Sequence, residues 1–84
     1  MKKIIEEVSN EGLESLLGER VWIWCKNYIY LGILTGANKT DVLLTDAHLV
    51  YETGELCADK IADAQPLPND LYIRTSAIES YSKR

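Results

Sequence analysis

The stretch RVWIWCKNYIYLGIL, Arg20 to Leu34, decides the fold. β-Branched and aromatic residues fill it, interrupted only by a Lys26-Asn27 pair suited to a tight turn. It therefore reads as a β-hairpin, with Val21 to Cys25 in one strand and Tyr28 to Gly36 in the next. Two registers fit. With Lys26-Asn27 as a two-residue turn, Cys25 pairs with Tyr28; Val21, Ile23 and Cys25 face inward, and Trp22 and Trp24 face outward beside Ile29 and Leu31. With a three-residue loop, Trp24 pairs with Tyr28 and Trp22 with Tyr30, and four rings share one face. Volume favours the first, because four large rings overpack a small interior, at roughly 1–3 kcal/mol for excess methylenes. The outward Trp22, Trp24, Ile29 and Leu31 surface is too apolar to leave wet. A helix, the segment 52 to 70 or a neighbouring subunit should cover it; a stacking surface for bases is the competing use.

On the C-terminal side, GANKT (36–40) is a loop and DVLLTDAHLVYE (41–52) a long strand that pairs with the hairpin's second strand, bent or twisted at Asp46-Ala47. TGELCADKIADAQPLPND (53–70) is the longest connection, with room for a helical turn around Ala58 to Ala64; Pro66 and Pro68 oppose a regular strand at its end. LYIRTSAIESYS (71–82) supplies two short strands that part near Thr75-Ser76. On the N-terminal side, a helix is expected over about residues 10–17. Asn10 caps it, Glu11 and Glu14 stand near the positive end of its dipole, Leu13, Leu16 and Leu17 share a face, and Gly18 ends it.

One helix and about five strands in 84 residues imply a single domain, a small closed or nearly closed barrel, since closure removes exposed strand edges. So small a core supplies limited stability, and self-association would add to it. The hydrophobic share of 46% and charged share of 26% are those of a globular protein without repeats or low-complexity tracts. Apolar runs are too short for a membrane span, and Glu6 and Glu7 stand where a signal peptide would continue apolar, so a cytoplasmic protein is expected.

A net charge of −4 argues against bulk electrostatic coating of nucleic acid, so any such site must be local. Glu52, Glu55, Asp59, Asp63 and Asp70, against Lys60, make the long acidic loop of about 52–70 repel a phosphate backbone. Cys25 and Cys57 read as free thiols; with His48 as the sole histidine they have no metal-ligand spacing. Neither cofactor nor metal is expected. The serines lack a histidine partner pattern and no glycine-rich loop leads into a helix, so no catalytic residue is assigned. His48 reads as a surface or interface residue.

From about residue 12 to 82 the chain resembles the Sm/LSm proteins. GLESLLGERV is similar to the family's helix ending in Leu-Gly before the first strand. YLGILTGANKTDVLLTDA resembles its first motif, through Gly32, Leu34 and the Asp46-Ala47 pair, and YIRTSAI its second. The resemblance implies an N-terminal helix and a five-stranded, strongly bent SH3-like barrel over about 20–82. It implies a homo-oligomeric ring in which the fourth strand of one subunit, here Leu71 to Arg74, pairs with the fifth strand of the next, here Ala77 to Tyr81.

The resemblance further implies that single-stranded RNA is the partner, bound at the ring pore without covalent change. The site residues it carries over are Asn38, Thr40, Asp41, Arg74 and Thr75. Four of these depart from the family pattern, among them Asn38, which stands where the family has an aspartate. Asp41, in place of an asparagine, is acceptor-only; Thr40 has no ring to stack on a base; and Thr75 replaces a glycine that would take positive φ cheaply. An Arg74–Asp41 ion pair that merely fixes the turn is the competing role for the arginine. At the level of the whole chain, the competing reading is a barrel that serves as a protein-assembly module with little or no RNA binding.

Overall fold

The computed structural model describes residues 12–56 and 61–84. The chain is mostly β, in six antiparallel strands: β1 (Arg20–Cys25), β2 (Ile29–Ala37), β3 (Asp41–Glu52), β4 (Asp63–Pro66), β5 (Leu71–Arg74) and β6 (Ile78–Lys83). The sheet runs β4-β3-β2-β1-β6, and β5 pairs with the first part of β3, whose later part carries β4.

The hairpin takes the two-residue turn. Trp24 opposes Ile29, Ile23 opposes Tyr30, and the Cys25 N–H donates to the Tyr28 carbonyl at 2.9 Å. The two faces of the sheet then sort by composition. Val21, Ile23, Leu34, Val42, Leu44, Ala47 and Ile73 form the main core, flanked by Cys25 and Tyr30. Trp22, Leu31 and Val50 form a second cluster with Trp24 and Ile29, covered by Ile61 and Ala64 from the 52–70 segment.

Asp46 lets one strand serve both ends of the core. It has φ of 49°, the sole positive value outside glycine among the described residues, and the β2–β3 register shifts beside it, between Leu31 and Ile33. The extra residue changes parity: the β3 residues in the main core are Val42 and Leu44 before it and Ala47 after it, while Val50 belongs to the second cluster. Gly32 sits against this bulge. A Cβ there would lie 3.1 Å from the Thr45 carbonyl oxygen and 3.2 Å from the Ala47 Cα, so the approach requires glycine.

Four expectations need correction. The helix expected over 10–17 is, in its described part, a 3-10 turn over Gly12–Leu16; Asn10 and Glu11 lie outside the described residues. Gly12 and Gly18, at φ of 69° and 85°, close it off, and Glu19 N–H bonds back three residues to Leu16. Leu13 and Leu16 reach the core but Leu17 is exposed, because the 3-10 rotation parts residues that an α-helix would align. Second, the described residues form six strands rather than five, and β5 and β6 do not pair, so among these residues no ladder of hydrogen bonds closes the sheet.

The third correction concerns the acidic loop, where Asp63–Pro66 pairs with His48 to Glu52 as β4. Pro66 is tolerated because it ends that strand at the sheet edge. Fourth, Ala64 is a strand residue rather than the end of a helical turn; the first part of that turn, residues 58–60, lies outside the described residues, as does Cys57.

Candidate nucleic-acid interface

The loop between β2 and β3 is organised by Asn38. Its side-chain carbonyl accepts the Thr40 and Asp41 backbone N–H groups, each at 2.8 Å, while its own N–H donates to the Asp41 carbonyl at 2.9 Å. This is the local turn chemistry that asparagine supplies, and it fixes which end of the amide is oxygen. The Asn38 amide nitrogen is left without a partner among the described residues. Thr40 donates its hydroxyl to the Asp41 carboxylate at 2.8 Å.

Thr75 joins this loop to the chain between β5 and β6. Its N–H donates to the Thr40 carbonyl at 2.8 Å and its hydroxyl to the Lys39 carbonyl at 2.9 Å. The glycine-like conformation expected at this position is not used: Thr75 starts a 3-10 turn, Thr75–Ala77, and is not among the positive-φ residues. Its hydroxyl instead replaces backbone freedom with a fixed bond to the opposing loop. Asn38, Thr40, Asp41 and Thr75 are thus brought together.

Arg74 is adjacent but differently engaged. It opposes Asp41 in the β3–β5 ladder, yet no ion pair forms between them; the ion pairs among the described residues are Arg20–Asp46 at 2.8 Å and Lys83–Glu19 at 3.5 Å. The exposed guanidinium makes no hydrogen bond to a described residue. Arg74 instead borders a cleft of about 700 Å³ at the turn end of the β1–β2 hairpin. Cys25, Tyr28 and Tyr30 form one wall, Leu71 and Ile73 of β5 the other, and Lys26 and Glu79 add charge. The Tyr28 and Tyr30 rings are 6.2 Å apart and tilted by 38°; Tyr28 is 54% exposed, and Tyr30 is half-buried.

These cleft residues were not among those singled out from sequence. The signal was present: once Cys25 pairs with Tyr28, both tyrosines fall on the inward face with Ile23 and Cys25. Burial is the main cause that pushes the Cys25 thiol and the Tyr30 hydroxyl above their ordinary pKa values, with Glu79 adding to the effect on Cys25. Both therefore favour their neutral forms. His48 places Nδ1 3.1 Å from the Asp46 carbonyl oxygen, beside the bulge and away from the cleft.

Among the described residues no group of three or more histidine, cysteine or acidic side chains is arranged to hold a metal ion, and no helix is long and apolar enough to cross a membrane. No protein-family model matches the chain, and no characterised protein is similar to it at a significant level.

Proposed function

We propose that this chain is a non-catalytic Sm-like protein that assembles into a ring and binds single-stranded RNA at its pore. The strand order carries the reading. Counted without the short β4, the sheet runs β6-β1-β2-β3-β5, so among the described residues the two terminal strands each keep one unpaired edge. β5 takes the part of the family's fourth strand and β6 that of its fifth, and pairing β5 of one copy with β6 of the next would satisfy both edges. Gly32 packed against the Asp46-Ala47 bulge adds support, because these are the positions on which the first motif rests.

At the pore, the unpartnered amide nitrogen of Asn38 would donate to a base edge and Arg74 would supply charge and a planar surface. Thr75 and Thr40 hold the two loops together. Asp41 contributes only acceptors and repels phosphate, which limits affinity and makes base donors its partners.

A second reading is favoured by the same loop. Most of its polar groups are already satisfied internally, by Asn38, Thr40 and Thr75, as a module that only assembles with other proteins would require.

Solution mass, followed by titration of uridine-rich and adenine-rich oligonucleotides at two salt concentrations, separates these readings. The RNA-binding ring gives a multimer whose oligonucleotide affinity falls with salt and weakens in Arg74→Ala. A multimer that ignores every oligonucleotide at low salt favours the assembly module; a monomer overturns the ring.

A further inference from the structure

The geometry points to the tyrosine cleft beside Arg74 as a seat for one nucleotide unit, its base against Tyr28 and its phosphate toward Arg74 and Lys26. This deepens the RNA reading by assigning the stacking group that the β2–β3 loop lacks.

Three features on the molecule favour this occupant. First, size: about 700 Å³ falls within the ~300–1,000 Å³ typical of small-ligand sites. Second, the walls: aromatic and aliphatic side chains of Tyr28, Tyr30, Leu71 and Ile73 suit a flat apolar body, and the more exposed Tyr28 ring offers a π-face to stack on. Third, charge: Arg74 and Lys26 give the rim two cations against the one carboxylate of Glu79, and Arg74 is held by neither Asp41 nor any other described residue. A purely apolar ligand would leave those cations without a role. A phosphate without a base would leave the tyrosine wall unfilled.

The placement also links cleft and loop. Arg74 lies in the cleft, and the next residue, Thr75, is bonded to Lys39 and Thr40. A strand passing Arg74 could leave one base in the cleft while its neighbour meets Asn38. The shared chemistry of a free nucleotide and of a unit within a strand is the same, so both are tested.

The experiment titrates AMP, UMP, ribose 5-phosphate and a uridine-rich hexanucleotide into the full chain in its solution assembly, following tyrosine NMR signals and heat. Variants Tyr28→Ala, Tyr28→Phe and Asn38→Ala are compared after their melting curves show that each folds. We expect the nucleotides to bind at least about tenfold more tightly than ribose 5-phosphate. Tyr28→Ala should weaken base-containing ligands by about 5- to 150-fold, the range for loss of one base–aromatic stack, and Tyr28→Phe by less than about threefold. The cleft is overturned if Tyr28→Ala binds as the parent does, if ribose 5-phosphate equals AMP, or if no nucleotide of either form binds.

The arms keep this inference apart from the RNA reading. Hexanucleotide binding that is lost in Asn38→Ala but unchanged in Tyr28→Ala leaves the loop site standing and removes the cleft. Mononucleotide binding that needs Tyr28, with no gain for the hexanucleotide, keeps the cleft as a free-nucleotide site and removes the RNA reading.

Discussion

Gly32 and Asp46 show how much depends on two backbone positions. Gly32→Ala would force a Cβ to 3.1–3.2 Å from the bulge, and a shift of β3 is the only relief on the backbone side. A loss of about 1–3 kcal/mol is expected, measured by urea unfolding, as for other overpacked sites. At Asp46, the Arg20 guanidinium donates a hydrogen bond to the carboxylate, and its charge adds to the effect, holding the pKa below the ordinary aspartate value. Stability from this pair is present above the unfolded-state pKa and is lost as pH falls through the lower folded-state value. The melting temperature of the parent should therefore fall more steeply below about pH 4 than that of Asp46→Asn, which keeps the left-handed preference without the titration. The effect is small because the carboxylate is exposed and solvent screens it. Sequence made this bend legible at Asp46-Ala47, since aspartate tolerates positive φ. It did not reveal the Arg20 partner, because the two lie 26 residues apart and meet only when β3 folds back on the hairpin.

Among the elements, volume favours the hairpin register that is observed: the two-residue turn puts the tryptophans outside the main core. Of a helix, the 52–70 segment and a neighbouring subunit, the 52–70 segment covers them among the described residues, through Ile61 and through Ala64 of β4. That strand was hidden because the segment is acidic and carries Pro66, both signs of a loop. Its pairing comes from the free edge of β3 rather than from local preference. The expected α-helix failed for the converse reason: its leucine spacing was good, but a run bounded by two left-handed glycines is too short for α-helical nucleation. Trp22 is 3% exposed, so Trp22→Ala should cost about 3–5 kcal/mol. Trp24→Ala, at a half-buried position, should cost less; equal losses in denaturant titrations would contradict the packing described here.

For the whole molecule, charge and edges act in opposite directions. Copies that each carry a formal charge of −4 repel one another, while in the proposed ring their β5 and β6 edges would attract. Salt screens the repulsion, with a Debye length of about 10 Å at 0.1 M, and leaves the backbone hydrogen bonds little changed. If the proposed ring forms and binds RNA, raising ionic strength should favour the multimer in sedimentation runs and weaken oligonucleotide binding in the same buffers, where counterion release sets the trend. Two parallel trends would disagree with edge pairing as the source of assembly. The open sheet was legible only in part, since composition argues for closure but does not say whether the last two strands meet each other or a second chain.

The chain's only two tryptophans lie on the outer face of β1, ring centroids 5.8 Å apart with planes inclined by 27°, and the Arg84 guanidinium sits 5.3 Å from the Trp22 ring. The strong far-ultraviolet transition dipoles of the two indoles are close enough to couple, so the folded protein should give a paired-sign exciton band in far-ultraviolet circular dichroism. Because Ile61 and Ala64 close over this pair, the same band would serve as an optical gauge, without added label, of whether the acidic strap is seated.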